Sequence, residues 1–281
     1  MASDPDADRI GLVIRDNNGE YVLINGNQIV MIFLNYLMTR NTELGTLTGN
    51  EYIVKTIVTT ETIRTIAEAQ HIKMYDCFTG FKWIANVMRE NEGKARYLGG
   101  GEESYGFLAE DFVRDKDSVS AISLMAEIAA WAKDKGLNMT DMLIDIYMKY
   151  GFSREKGISL VRKGKSGAEE IIALMKQFRE NPPKEIAGSP VVTVKDFQSL
   201  VETNVATGET KKLDMPATSN VLQYYTADRT KVSVRPSGTE PKIKFYIEVH
   251  DTLASADEYK ATEARADEKI NRIAKEFGIT K

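Results

Sequence analysis

The sequence contains few residues of the kinds that mark disulfide-rich proteins, zinc proteins and cysteine enzymes. Among its 281 residues there is one cysteine, Cys77, and there are two histidines, His71 and His250. One cysteine excludes an internal disulfide, and histidines without a neighbouring cysteine carry no signature of a zinc site or a Cys-His nucleophile pair. The sequence therefore predicts a protein of the cytoplasm, a reducing compartment, whose chemistry uses other side chains.

The sequence also lacks a long hydrophobic run and an excess of positive charge. Its longest apolar stretch, residues 29 to 38, is interrupted by Asn35. This is about half of the ~20 residues that a membrane helix needs, so no membrane span is predicted. With 37 basic and 41 acidic residues the net charge is −4, which offers no general attraction for nucleic acid or anionic lipid. Small-molecule chemistry is the leading interpretation, without nucleic-acid or membrane partners.

What is present indicates about two globular domains, because 42% of the residues are hydrophobic and the length suits two cores. The chain begins with two β-prone runs, Ile10 to Arg15 and Tyr21 to Ile24, on either side of a turn that contains Asn-Gly. A buried helix and further helical patterns follow, up to a stop at Gly151. The second half combines β-prone runs, the clearest being Ile243 to Val249, with two amphipathic helices, which predicts an α+β unit.

Three segments carry residues suited to chemistry, and the first is Asp4-Pro5-Asp6-Ala7-Asp8-Arg9. In an extended loop, Asp4, Asp6 and Asp8 would point three carboxylates toward one place, as a hard cation such as Mg²⁺ requires. Arg9 and Arg15 stand where a calcium-binding EF-hand loop needs glycine and glutamate, so that motif is excluded. The alternative interpretation is an acidic, frayed N-terminal segment, and the segment alone does not decide.

The second segment is Gly99-Gly100-Gly101-Glu102-Glu103-Ser104-Tyr105-Gly106. Successive glycines allow a backbone to approach a ligand closely, while carboxylates and a hydroxyl can bind the vicinal hydroxyls of a sugar. The alternative is a flexible surface turn with solvated glutamates.

The third segment, from Arg235 to Lys242, lies between two β-prone runs and reads RPSGTEPK. A guanidinium, two hydroxyls, a glycine amide and a lysine within eight residues match the acceptors of a phosphate monoester. An ordinary Pro/Gly turn with a solvated arginine is the alternative, but it does not explain why so many donor types converge. Phosphate binding is the favoured interpretation.

Taken together and in this order, DPDADR, TGFKW, GEESYG and RPSGTEPK resemble the α-D-phosphohexomutase superfamily, the phosphoglucomutases and phosphomannomutases. The resemblance covers essentially the whole chain but corresponds to the later part of such an enzyme. It implies the end of domain 2 with the metal-binding loop in residues 1–25. Residues 26–151 would form an α/β sugar-recognition domain with a mixed sheet and helices, domain 3. Residues 152–281 would form a C-terminal phosphate-binding α+β domain, domain 4, with an antiparallel sheet and helices on one face.

The resemblance also implies roles for individual residues. Asp4, Asp6 and Asp8 match the loop that binds Mg²⁺ in the intact enzyme, which we expect to bind weakly or not at all in this chain. The expected substrate-binding residues, which contact the sugar or its phosphate, are Glu102, Ser104, Thr79, Gly80, Lys82, Arg235, Ser237, Gly238, Thr239 and Lys242. Lys55 is a further expected contact.

One part of the family pattern is missing, since no Ser-His-Asn/Asp-Pro phosphoserine loop occurs in the sequence. We therefore expect no catalytic residue here, and we expect the N-terminal domains of the same protein as partners. The intact enzyme would interconvert hexose 1-phosphate and hexose 6-phosphate, with glucose preferred over mannose, through a phosphoserine and a bisphosphate intermediate. This chain alone is expected to bind sugar phosphate without turnover. The alternative is a stand-alone sugar-phosphate binding or regulatory module.

Overall fold

The chain folds into two compact units in a computed structural model that describes residues 1–162, 164–238 and 240–280. Unit 1 comprises Met1–Phe152 with Leu253–Asp257, and unit 2 comprises Ser153–Thr252 with the residues from Glu258 onward. Residues 1–25 and 26–151, which were assigned to separate domains, lie in the same unit. The three-domain assignment stays a prediction.

Unit 1 contains a small antiparallel sheet, a mixed sheet and five helices among its described residues. Its elements in chain order are β1 Ala2–Ser3, β2 Ile10–Arg15, β3 Tyr21–Ile24, α1 Gly26–Glu43, β4 Glu51–Thr56, α2 Thr62–Ala69, β5 Lys73–Cys77, α3 Phe81–Asn91, β6 Arg96–Gly101, β7 Phe107–Ala109, α4 Ser118–Asp134 and α5 Met139–Tyr150. The small sheet has the order β1-β2-β3, and the mixed sheet has the order β5-β4-β6-β7.

In the mixed sheet, β4 pairs in parallel with both β5 and β6, and β7 is antiparallel to β6. Every residue of β4 is buried, as expected for a central parallel strand with both faces covered. From β4 the chain crosses to one neighbour, β5, and then returns past β4 to the other, β6. The carboxyl end of β4 is therefore a point where the connections diverge, and such points commonly bind ligands in α/β sheets.

Helix α1 is the buried helix that the apolar run predicts. Asn25 caps it, accepting a hydrogen bond from the Gln28 N–H, while the Gln28 side chain accepts one from the Asn25 N–H. The helix packs along β6, whose last three residues, Gly99–Gly101, are glycines within the strand. A Cβ on Gly101 would lie 2.7 Å from a methyl group of Val30 on α1. The glycine run therefore allows close helix-strand packing, a structural reason for it that the sequence alone did not reveal.

Unit 2 is an antiparallel sheet with two long helices. Its elements are β8 Phe152–Val161, α6 Gly164–Glu180, β9 Glu185–Ile186, β10 Ser189–Asp196, β11 Val201–Asn204, β12 Thr210–Lys212, β13 Leu222–Thr226, β14 Lys231–Pro236, β15 Lys242–Asp251, a 3₁₀ turn Ala256–Glu258 and α7 Tyr259–Glu276. The sheet order is β12-β11-β10-β13-β14-β15-β8, with β9 beside β10.

Both long helices of unit 2 cover the same face of its sheet, because Phe178 of α6 and Phe277 after α7 each contact Phe245 of β15. The predicted fold class is confirmed: an α/β domain with a mixed sheet and helices is followed by a C-terminal α+β domain with an antiparallel sheet and helices on one face. Within the described ranges, no helix combines the length and the apolar character needed to cross a bilayer.

Candidate functional site

Two predicted loops and one predicted residue of unit 1 lie at the carboxyl ends of the parallel strands. The Thr79 loop (residues 79–82) comes just after β5, the Glu102 loop (residues 102–106) follows β6, and Lys55 lies near the end of β4. Strand register places Lys55 beside Asp76 on one side and Gly101 on the other. The fold therefore gathers side chains that are far apart in sequence at one edge of the sheet.

Glu102 joins two of these loops. Its side chain is buried, at 5% exposure, and its Oε1 atom accepts a hydrogen bond of 2.7 Å from the Gly80 N–H. Gly80 is the N-cap of α3 and has φ of +104°, a conformation that favours glycine. The carboxylate thus lies at a helix N-terminus, where a negative charge is favourable. Gly80 contributes an amide and a turn, and Glu102 holds the Thr79 loop in place.

The hydroxyl groups of Thr79 and Ser104 are half-buried, and neither makes a hydrogen bond with the residues that the structure describes. Lys82 is exposed, with its ammonium 5.5 Å from the centre of the Trp83 ring. Unit 1 therefore offers two unengaged hydroxyls and one exposed cation beside a buried carboxylate. Such groups can exchange hydrogen bonds with the hydroxyls of a sugar.

Lys55 is fully buried and paired. Its Nζ atom lies 3.0 Å from Glu61 Oε1 and 2.8 Å from Asp76 Oδ1. Arg64 contacts the same two carboxylates, so two cations and two anions alternate in one cluster. An unpaired buried ammonium would be costly, and this network neutralises it at the strand ends.

Lys116 was missed by the sequence analysis, although it contacts three of the segments discussed. Its Nζ atom lies 2.9 Å from Asp8 Oδ2 and 5.8 Å from the centre of the Phe81 ring. Its side chain also covers Gly106, where a Cβ would meet the Lys116 Cδ atom at 2.6 Å. The sequence places Lys116 between two aspartates in a polar run, and no pattern there distinguishes it from a solvated lysine.

The acidic loop (residues 4–9) does not hold its three carboxylates as a cation site. Asp4 Oδ1 accepts hydrogen bonds of 3.1 Å from the N–H groups of Asp8 and Arg9. Desolvation raises the pKa of Asp4, but these two bonds outweigh it and lower the pKa. Asp6 is exposed, and Asp8 is paired with Lys116.

The donor set of the acidic loop can be compared with what Mg²⁺ requires. Within the described residues, no three acidic, histidine or cysteine side chains converge on one point. Mg²⁺ keeps several of its waters and binds carboxylates that converge on one position, and these carboxylates do not converge. The loop as it stands does not fit the ion, and the assignment of Asp4, Asp6 and Asp8 to a metal stays a prediction.

The third predicted segment, the Arg235 loop (residues 235–242), joins β14 to β15 in unit 2. The Ser237 N–H donates to the Lys242 carbonyl at 2.8 Å, and the Glu240 N–H donates to Ser237 Oγ at 3.3 Å. Arg235 is half-buried and has no ion-pair partner among the described residues. A guanidinium held beside a folded loop and left unpaired is suited to bind an oxyanion.

Lys244 is a second residue that the sequence analysis did not select. It lies directly across from Arg235 in the β14-β15 register, so the two side chains share one face of the sheet. Lys244 is half-buried and forms no salt bridge with a described residue, although its charge, after that of Lys242, helps to lower the pKa of Glu240. The signal was present in the alternation of the strand from Ile243, which puts Lys244 on the face opposite the hydrophobic residues.

The remaining predicted residues of the Arg235 loop differ in whether their polar groups are free to bind a ligand. Lys242 forms an ion pair with Glu240, which lowers the pKa of that carboxyl. Gly238 is exposed, so its amide is open to a ligand. Thr239 lies outside the described residues.

Sequence comparison identifies two families within the chain. Residues 25–150 match the family "Phosphoglucomutase/phosphomannomutase, alpha/beta/alpha domain III". Residues 179–266 match "Phosphoglucomutase/phosphomannomutase, C-terminal domain". A phosphoglucomutase of Staphylococcus epidermidis is 36% identical over 247 residues, which cover 88% of this chain and 44% of that protein.

Solved structures agree on the fold. The open form of the phosphoglucomutase pp63/parafusin from Paramecium superposes with a TM-score of 0.59 at 16% identity, covering 97% of this chain and 45% of that one. Aspergillus fumigatus N-acetylphosphoglucosamine mutase, solved with GlcNAc-6P and magnesium, superposes with a TM-score of 0.50 at 13% identity, covering 97% and 50%.

The matched domains follow one another in the order that the four sequence motifs predict. The chain spans less than half the length of the curated relatives it matches. With both later domains matched in sequence and in fold, the chain belongs to the α-D-phosphohexomutase superfamily.

Proposed function

We propose that this chain carries the sugar- and phosphate-recognition domains of a phosphohexomutase that interconverts hexose 1-phosphate and hexose 6-phosphate, with glucose as the preferred sugar. The observation that carries the proposal is a pair of cations beside the folded Arg235 loop, Arg235 and Lys244, neither of which forms a salt bridge with a described residue. The family membership supports it, since the closely similar Staphylococcus protein is a phosphoglucomutase.

In unit 2, the proposed ligand group is a phosphate that is not being transferred. Arg235 can donate two parallel hydrogen bonds to phosphate oxygens, and Lys244 adds a point charge on the same face of the sheet. The Gly238 amide is exposed and adds a neutral donor. Ser237, Thr239 and Lys242 complete the proposed phosphate-binding set, and Lys242 must leave Glu240 to take part.

In unit 1, the proposed ligand group is a set of sugar hydroxyls. Ser104 and Thr79 have unengaged hydroxyls, and Glu102 holds the two loops that carry them. Gly80 is engaged with Glu102 through its amide, so its contribution is to the shape of the loop. Lys82 is the exposed cation of this group. The stereochemical choice between glucose and mannose is expected to depend on the Thr79 loop.

The chain alone is proposed to bind without turnover. Phosphoryl transfer requires a donor and an acceptor held in line, and the sequence contains no Ser-His pair of a phosphoserine loop. In the complete enzyme, the proposed partners are the N-terminal domains of the same protein and the proposed cofactor is Mg²⁺. We also propose a cytoplasmic location, consistent with the single buried thiol, Cys77.

Calorimetric titration of inorganic phosphate and of glucose 1-phosphate into the chain tests the phosphate part. We expect Arg235→Ala to weaken binding of both ligands by about tenfold or more, and Lys244→Ala by a smaller factor, because charge-assisted hydrogen bonds contribute about 1.5 to 3 kcal/mol each. Arg272→Ala, an exposed arginine of α7, is the matched control and should bind like the wild type. Equal affinities of the Arg235 and Arg272 variants would overturn the phosphate assignment.

Saturation-transfer NMR with methyl α-glucoside and methyl α-mannoside tests the sugar part separately. Ser104→Ala should lose the signal from the glucoside while leaving inorganic phosphate binding unchanged. A stronger signal from the mannoside would reverse the proposed preference. Measurable mutase turnover by the chain alone would contradict the absence of a phosphoryl donor.

A further inference from the structure

The acidic loop is already fastened to the rest of unit 1 by contacts within the chain. Arg9 forms a β-bridge with Gly106, and the Ile10 N–H donates to the Tyr105 carbonyl at 3.2 Å. On the other side, the Ser118 N–H donates to the Ala7 carbonyl at 3.1 Å. The loop therefore lies against the Glu102 loop and the start of α4, with no metal needed to explain its position.

Among the described side chains, one ion pair links the acidic loop to its surroundings. Lys116 Nζ lies 2.9 Å from Asp8 Oδ2, and the lysine side chain is only 13% exposed. Its aliphatic stem covers Gly106 of the Glu102 loop, so the same residue touches both loops. The ammonium is largely withdrawn from water, and Asp115 Oδ1, 3.2 Å away, is its second anionic neighbour.

The carboxylates of the acidic loop are not gathered around one position. Asp4 Oδ1 accepts from two backbone N–H groups, and Asp8 Oδ2 faces Lys116. Asp8 Oδ1 is buried and accepts no hydrogen bond from a described residue, with Arg9 Nε 3.9 Å away, while Asp6 is exposed. Within the described residues, no three such side chains converge as a hard cation would require.

We propose that Lys116 is the cation that fastens the acidic loop to the Glu102 loop. The ammonium pairs with Asp8 while its stem lies on Gly106, so one side chain joins the two loops. Lys116 acts through Asp8 and Gly106 and is a positioning residue. In this chain the acidic loop keeps its place without Mg²⁺.

Hydrogen exchange of the full chain, measured by mass spectrometry, tests this proposal at the amides of Ile10 and Ser118. Lys116→Met keeps the aliphatic stem but removes the charge, and we expect exchange at both amides to become about fivefold faster, the effect of losing a partly exposed ion pair. Lys133→Met, an exposed lysine on α4, is the matched control and should exchange like the wild type. Unchanged exchange in Lys116→Met would overturn the proposal.

Two further measurements separate this role from a merely structural one. Asp8→Asn should accelerate exchange as much as Lys116→Met, and the double variant should add nothing, because all three lose the same contact. Additive effects would overturn the proposal. Adding 10 mM MgCl₂ should change wild-type exchange no more than NaCl of equal ionic strength, and slower exchange in Mg²⁺ would show that the ion holds the loop. None of these readouts involves a sugar or a phosphate, so they are independent of the proposed function.

Discussion

The buried charged groups around the Glu102 loop of unit 1 are paired, whereas two cations beside the Arg235 loop of unit 2 form no salt bridge within the part of the chain that the structure describes. Around the Glu102 loop, the buried charges are already engaged: Glu102 with Gly80, Lys55 with Glu61 and Asp76, and Lys116 with Asp8. Beside the Arg235 loop, Arg235 and Lys244 form no salt bridge with a described residue. The first region uses its buried charges to fix the positions of loops, and the second leaves cations available for an anion. Apart from the exposed Lys82, the groups that the first region leaves open are hydroxyls.

The largest effect that this comparison predicts is the loss of unit 1 stability in Lys55→Met. The substitution leaves Glu61 and Asp76 without a fully buried counter-ion, and removing one partner of a buried pair costs about 3 to 5 kcal/mol. Arg64 still contacts both carboxylates, so we expect a loss near 3 kcal/mol. Urea unfolding followed by tryptophan fluorescence reports this, because both tryptophans, Trp83 and Trp131, lie in unit 1.

The matched variant in unit 2 is Arg235→Met. Since Arg235 has no described partner, its replacement should change the free energy of unfolding by no more than about 0.5 kcal/mol, measured by circular dichroism. A loss as large as that of Lys55→Met would remove the distinction between the two regions.

Gly26→Ala is expected to lower the free energy of unfolding less than Lys55→Met does, and Gly238→Ala is the matched variant in unit 2. A Cβ on Gly26 would lie 2.0 Å from the Glu103 carbonyl oxygen, whereas no described atom comes within 4 Å of one on Gly238. Overpacking at Gly26 should destabilise unit 1 by about 2 kcal/mol and accelerate hydrogen exchange in the Glu102 loop. Gly238→Ala should cost little. Equal stability losses would mean that the Glu102 loop is not held by close packing against α1.

A smaller loss of stability than that of Gly26→Ala is expected for an ion pair of unit 2 away from its loop. Lys269 Nζ lies 2.6 Å from Asp228 Oδ2, and although desolvation raises the pKa of Asp228, bonds from Lys269, Thr226 and Thr230 outweigh it and lower the pKa. A lowered carboxyl pKa gives stability that is present above the unfolded pKa, near 4, and is lost as the pH falls further.

Asp228→Asn should therefore lower the stability of unit 2 at pH 7 by less than about 1 kcal/mol, because the carboxylate is partly exposed. The difference from the wild type should shrink below about pH 4, where the Asp228 carboxylate of the unfolded chain becomes protonated while the folded one, with its lowered pKa, is still ionised. Denaturation by urea at pH 7 and pH 3, followed by circular dichroism, measures it. A difference independent of pH would assign the effect to the Thr226 and Thr230 hydrogen bonds instead of to charge.

Local patterns in the sequence were sufficient for much of the fold. The hairpin strands Ile10–Arg15 and Tyr21–Ile24 form as predicted, because an Asn-Gly turn and period-two alternation are local properties. Ser255-Ala256-Asp257-Glu258 has the spacing of a capping box, which predicts a helix start at Ser255. Helix α7 begins instead at Tyr259, because a 3₁₀ turn occupies Ala256–Glu258.

The candidate site was less predictable, because its members meet only in three dimensions. Gly80 and Glu102 were both selected, but nothing local indicated that one would donate a hydrogen bond to the other. Nothing local indicated a role for Lys116 either, because the residues it contacts, Asp8 and Gly106, are not its neighbours in sequence. Lys244 could have been selected from the sequence, because the alternation of its strand puts its side chain on the same face of the sheet as Arg235.

The position of β8 in unit 2 has a consequence for how the chain folds. β8 is the first strand of its sheet and lies beside β15, the last, whereas the parallel strands of unit 1 pair with near neighbours in sequence. Contacts between distant residues require a large loop to close first, and high contact order slows folding. During synthesis, unit 1 can assemble its mixed sheet while unit 2 must wait for its final strand. Strand β8, which is made first and must wait for β15, therefore has an unpaired edge that is open to mispairing until the rest of its sheet is made.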